Sequence, residues 1–323
     1  MAANISIILL MIIIGTKCTA SKKFHGSEKW KESELEYCEN DPTPFPDYCL
    51  TYVYRYEVIK LELLRAKPPV VAYRGLAPRK YISDFLDDVK SLKKKPNSGV
   101  SYANEVTIAH KEKGGIARLF NRLATYLPFL NFDNSDPWQV LSFGKGAHHP
   151  PRYDFLNISG REKKDELTKE LGNRFATFRI LLKAADEGGA VIFTAAKTSI
   201  KIEPGDALFW ITMEPNGTKK EDVEYGDCPV WKGEKVTATL RLRERWQHMV
   251  EAAREPGEYY YYVLTTPNLE FLRTSEKIDY DDDWSQFSSS NSTDDDYVYD
   301  EVLHGGHTSE ESMKEHNHKK VEL

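Results

Sequence analysis

Phe143-Gly-Lys-Gly-Ala-His-His-Pro-Pro-Arg-Tyr-Asp-Phe155 is the stretch on which the reading of this 323-residue chain turns. An apolar strand pattern, Trp138–Phe143, runs into it, and a second, Arg152–Leu156, runs out of it. A Gly-Lys-Gly turn and two prolines stand between them. Residues i and i+2 of a strand share a face, so Arg152 and Asp154 are expected to enter one space and pair as ions. His148 and His149 precede the prolines, so neither is expected on the strand face of Asp154.

Outward from this stretch, the chain downstream reads as β. Ala176–Leu182, Ala190–Thr194, Ser199–Ile202, Ala207–Thr212 and Val236–Arg245 are short apolar runs separated by Glu-Gly-Gly, Pro-Gly-Asp and Pro-Asn-Gly turns. Within the last run Val236, Ala238, Leu240 and Leu242 form one face, read as a filled barrel interior, while Thr237, Thr239, Arg241 and Arg243 form the other. Upstream, Ile82, Phe85, Leu86, Val89 and Leu92 make one helical stripe, and Ile116, Leu119, Phe120, Leu123, Ala124 and Leu127 make a second. Tyr52 to Leu64 reads as helical and Val70–Tyr73 as a strand. Many close-set strands behind two amphipathic helices predict an α+β fold, an antiparallel barrel or jelly roll buttressed by N-terminal helices.

The N-terminus points to the secretory pathway. Ile5–Gly15 is too short an apolar run to span a bilayer and is followed by Cys18-Thr19-Ala20, so a signal peptide over residues 1–20 is expected. Three cysteines then remain. In an oxidising lumen Cys38 and Cys49 would close a loop holding Pro42, Pro44 and Pro46, leaving Cys228 as a free buried thiol, with an intermolecular disulfide as the alternative. Asn157, Asn216 and Asn291 begin glycosylation sequons. The final Lys320-Val321-Glu322-Leu323 looks like a weakened retrieval signal for the endoplasmic reticulum. The net charge of −6 gives no reason to expect nucleic acid. From Glu276 onward, fourteen acidic residues face four lysines, which predicts a disordered acidic tail. The expected organisation is signal peptide 1–20, N-terminal extension 21–66 with the Cys38/Cys49 loop, a catalytic-type domain 67–250 and a tail 251–323.

Six ordered segments carry a resemblance. These are Phe143–Phe155, Gly172-Asn-Arg-Phe-Ala-Thr-Phe178, Gly188-Gly-Ala-Val-Ile-Phe193, Gly205-Asp-Ala-Leu-Phe-Trp210, Cys228-Pro-Val230 and Gly233-Glu-Lys235. Together they resemble the catalytic domain of prolyl 4-hydroxylase α subunits, iron- and 2-oxoglutarate-dependent dioxygenases with a double-stranded β-helix (jelly-roll) core. The N-terminal dimerisation and peptide-binding domains of those subunits are not expected in this chain. Cys38 and Cys49 also resemble a disulfide pair ahead of that domain. The resemblance implies two histidines and an aspartate on iron. Asp154 is the one ligand retained, while Arg152 and Tyr225 occupy the histidine positions. It also implies a lysine and a tyrosine on the cosubstrate. These positions are read as Leu240 and Phe143, with a neighbouring threonine kept as Thr177.

Arginine offers no lone pair to a metal, and tyrosine ionises only near pH 10 in water. The expected function is therefore a catalytically inactive relative serving as a lumenal binding or regulatory protein, with no cofactor. The alternative is an active prolyl 4-hydroxylase of collagen-like or Pro-rich secreted chains, which would take Fe²⁺, 2-oxoglutarate and ascorbate. A third reading gives the acidic tail a Ca²⁺-buffering or docking role. Expected partners are protein disulfide isomerase, another α-type subunit or a Pro-rich peptide. No membrane association is expected after signal cleavage, and the expected location is the endoplasmic reticulum lumen or outside the cell.

Overall fold

The computed structural model describes residues 24–39, 45–92, 95–96, 101–158, 166–253, 257–259 and 261. The signal peptide, the Asn291 sequon, the acidic tail and the terminal Lys320–Leu323 motif lie outside the described residues. Among the described residues, no helix is long and apolar enough to cross a membrane.

Antiparallel strands dominate. In chain order the elements are α1 Glu32–Glu39, β1 Tyr48–Tyr54, β2 Glu57–Ala66, β3 Pro69–Arg74, α2 Arg79–Lys90, β4 Lys95–Pro96, β5 Ser101–Ile108, α3 Gly114–Tyr126 and β6 Trp138–Arg152. There follow α4 Glu166–Leu171, β7 Arg174–Lys183, β8 Glu187–Gly188, β9 Val191–Phe193, β10 Thr198–Ile200 and β11 Ala207–Ile211. The last elements are β12 Tyr225–Asp227, β13 Val230–Lys232, β14 Lys235–Arg243 and α5 His248–Ala253. One sheet runs β1-β2-β3-β11-β7-β14-β6-β12-β9-β10, with β5 on β6 and β4 on β5. The long β6 pairs with β14 along its first half, while its end pairs with β12. It thereby curls the sheet into a half-barrel, the jelly roll expected from the turn-punctuated pattern.

The two helical stripes are where the periodicity puts them. Ile82, Phe85 and Val89 of α2 and Ile116, Leu119, Phe120 and Leu123 of α3 pack on Val140, Phe178, Ala238 and Leu240 in the main core. The Asp88 carboxylate accepts from the first amides of α3, Gly115 N at 2.7 Å and Ile116 N at 3.2 Å, satisfying groups that a helix start leaves open. Gly115 is needed for this closeness, since a Cβ there would sit 2.5 Å from the Asp84 carbonyl oxygen. A second cluster, including Leu64, Val70, Val191, Phe193, Leu208 and Trp210, fills the inside of the curl.

Several expectations are corrected. Tyr52 to Leu64 is not a helix but the β1–β2 hairpin, in register Val53↔Val58. The sheet therefore begins at Tyr48, within the segment taken as an N-terminal extension to residue 66. Cys38 is bonded to Cys228, 190 residues away, and Cys49 is the free, exposed thiol. The Cys38–Cys49 pairing fails because α1 packs against β9 and β10 beside Cys228, whereas Cys49 lies on the edge strand β1. Leu240 does not face the barrel interior. Val236, Ala238, Leu240 and Leu242 lie under the helices, and the opposite face of β14 turns inward.

Candidate functional site

The site is built where β6 ends and where β7, β12 and β14 turn their odd-numbered side chains inward. Asp154 is buried just past the end of β6. Its Oδ1 accepts from Arg241 Nε at 2.7 Å, and its Oδ2 accepts from Thr177 Oγ1 and Tyr225 Oη, each at 2.7 Å. Arg241 is held in turn by Gln139 Oε1 at 2.7 Å. Burial by itself would raise the Asp154 carboxyl; Arg241, with Arg152 and Arg174 nearby, overcomes this and holds it well below the usual carboxylate range.

The expected Arg152–Asp154 pair is not formed. The strand ends at Arg152, so the i, i+2 rule does not extend to Asp154. Arg152 pairs across the ladder with Tyr225, lies 4.4 Å above its ring and reaches Asp227 Oδ2 at 3.4 Å. Asp227 also accepts from Arg179 Nη1 and from Lys235 Nζ, both at 2.8 Å on Oδ1. Arg179 extends further to Tyr225 Oη at 3.2 Å and Thr239 Oγ1 at 3.2 Å. Burial opposes ionisation of Asp227, yet Arg179, Lys235 and Arg152 hold its carboxyl well below the usual range. Tyr225 moves the other way, its phenol raised by burial.

The remaining expected residues fall as follows. Thr177 is in the site but spends its hydroxyl on Asp154. Phe143 is fully buried beside Leu141 and Val230, with Lys235 Nζ 5.3 Å from its ring centre. Leu240 is outside the site altogether. His148 has both ring nitrogens engaged: Nδ1 accepts from Trp30 Nε1 at 3.0 Å, and Nε2 donates to the His25 carbonyl at 2.9 Å. Asn157 and Asn216 are exposed, as sequons require. Arg179, Asp227, Lys235 and Arg241 belong to the site and were not singled out as site residues from sequence. For Arg179 the signal was available, because a lone charge within an apolar strand run such as Ala176–Leu182 is stable only when buried against a partner.

The donor set does not fit the iron that the resemblance implies. A ferrous centre of this type needs two neutral imidazoles and a free carboxylate oxygen. Here a guanidinium and a protonated phenol stand at the imidazole positions, and both Asp154 oxygens are engaged. Among the described residues, no group of three His, Cys, Asp or Glu side chains is placed to hold a metal.

No protein-family model matches the chain. Among curated proteins it is 27% identical over 207 residues to prolyl 4-hydroxylase subunit alpha-1 of Caenorhabditis elegans, covering 59% of this chain and 35% of that one. It is 25% identical over 224 residues to probable prolyl 4-hydroxylase 7 of Arabidopsis thaliana, covering 60% and 67%. It is 32% identical over 109 residues to human prolyl 4-hydroxylase subunit alpha-3, covering 34% and 20%. The chain thus spans about a third of the length of the nematode subunit. Among solved structures, a viral collagen prolyl hydroxylase of Paramecium bursaria Chlorella virus-1, in complex with 2-oxoglutarate, aligns with TM-score 0.42 and 21% identity, covering 53% and 93%. Across the aligned span this chain is similar to the catalytic domain of prolyl 4-hydroxylases.

Proposed function

We propose that the protein is a catalytically inactive prolyl 4-hydroxylase-like chain of the secretory pathway that works by binding. The single observation carrying this reading is the Asp154 carboxylate, the one retained metal-ligand position. It is closed by three donors of the chain itself, Arg241, Thr177 and Tyr225. A metal would have to displace a buried guanidinium and strip two short hydrogen bonds, and it would gain no imidazole in exchange. The Cys38–Cys228 disulfide, the apolar N-terminal run and the exposed Asn157 and Asn216 support an oxidising, lumenal or extracellular setting. By likeness to the α subunits, protein disulfide isomerase, another α-type chain or a Pro-rich peptide is the partner to test first.

The experiment is elemental analysis of the purified mature protein, with succinate release from 2-oxoglutarate measured in the presence of Fe²⁺, ascorbate and Pro-rich peptides. The expected result is far less than one iron per chain and no release above the enzyme-free background. Stoichiometric iron together with 2-oxoglutarate turnover sinks the reading.

A further inference from the structure

Asp227 is fully buried and receives three cations, Arg179 and Lys235 at 2.8 Å and Arg152 at 3.4 Å. The other buried carboxylate of the site, Asp154, is balanced by Arg241.

Two of those cations have a second neighbour. Arg179 and Lys235 also line a cavity of about 170 Å³ between the inward faces of β7 and β14 and the strands β8 to β10. Thr237, on the same wall, is 1% exposed, and its hydroxyl has no hydrogen-bond partner among the described residues. A lysine ammonium has three donors, and among the described residues Lys235 hydrogen-bonds only to Asp227. Released from Asp227, the Arg179 and Lys235 donors beside this unused hydroxyl would have the chemistry that recognises a small carboxylate. Asp186, Glu203 and Lys201 are exposed residues of the lining, two negative charges and one positive.

We infer that Asp227 is a built-in substitute for an acidic guest, its carboxylate holding Arg179 and Lys235 so that the cavity does not take a small organic acid. This rests on the inactive reading above and deepens it. The physical reason is effective concentration. A carboxylate fixed on β12 is always present and preorganised, whereas a free acid must give up translational freedom to compete for the same two cations. Without Asp227 the three cations face each other uncompensated, and a free carboxylate becomes the means of neutralising them.

The test uses the full mature chain with Asp227→Ala and Asp227→Asn, thermal melts and calorimetry. The probes are acetate, succinate and 2-oxoglutarate, with sodium chloride at matched ionic strength as the control. Wild type is expected to give no binding heat and no change in melting temperature. Both variants are expected to melt lower and to regain stability saturably with the acids but not with chloride. Asp227→Asn keeps the side-chain shape and carries the test if the alanine variant does not fold. Saturable acid binding by wild type overturns the inference. So does a folded Asp227→Asn that no acid stabilises, or failure of both variants to fold with acid present as without it. Acid binding by wild type without succinate release overturns this inference alone, whereas iron-dependent turnover overturns the proposed function.

Discussion

Asp154 and Asp227 are both buried carboxylates, but they differ in how many cations hold them. Asp154 is met directly by one guanidinium, Arg241, plus two hydroxyls. Asp227 is met by two arginines and a lysine. Removing a sole buried partner strands a charge, whereas removing one of three does not. Arg241→Met is therefore expected to cost about 3–5 kcal/mol, the range for breaking a buried pair. Arg152→Met loses the stack over Tyr225 and two long contacts to Asp227 Oδ2, and is expected to cost about 1–2 kcal/mol. Urea denaturation of the two variants decides this. Equal costs, or a larger cost at Arg152, would restore the Arg152–Asp154 pairing that strand alternation suggests.

At the scale of elements, two misreadings share a cause in what surrounds a strand. All nine residues of β14 are buried, because one face lies under α2 and α3 and the other lines the polar interior. An apolar face then does not mark the inside of the barrel, as it does when the opposite face meets water. The β1–β2 hairpin was illegible for another reason. Its turn is Arg55-Tyr56, with φ of 48° and 66°, where Asn-Gly or Asp-Gly would have announced it. The disulfide also belongs to this scale, since it fastens α1 beside the short strands through Cys38 and Cys228. Trp30 lies close over Gly226, where a Cβ would meet its ring at 3.2 Å. Peptide mapping without reduction is expected to find Cys38 linked to Cys228 and Cys49 open to alkylation. Cys38→Ser is expected to lower stability by about 2–4 kcal/mol, while Cys49→Ser leaves it near wild type. A Cys38–Cys49 peptide would reverse the assignment.

For the whole molecule, the buried groups set the response to acid. His149 is pushed down to about 3, first by burial and then by Arg152. Its folded value lies below its unfolded value of about 6.5, so between those limits the unfolded chain binds the extra proton. Stability therefore falls as pH drops through that window, with a slope below about 1.4 kcal/mol per unit because the ring is only part-buried. Asp154 and Asp227 act lower. Their contribution is complete above the unfolded carboxyl value of about 3.9 and is lost as pH falls toward their depressed folded values. Urea midpoints from pH 8 to pH 3 are expected to decline in two stages; burial lowers His148 as well, so His149→Gln reduces the upper stage without abolishing it and spares the lower. A wild-type curve flat from pH 7 to pH 5 would count against the buried neutral imidazole.

The sequence by itself determined the jelly roll and the two helical stripes. Each of these is carried by local periodicity or by turn residues. Tertiary structure alone decided who pairs with whom: Arg241 with Asp154, Arg152 with Asp227, and Cys38 with Cys228. Those partners are 87, 75 and 190 residues apart. Charge attraction and disulfide formation act over a few ångströms, so partners of this kind are chosen by which strand ends the curled sheet brings together, and spacing along the chain carries no record of that choice.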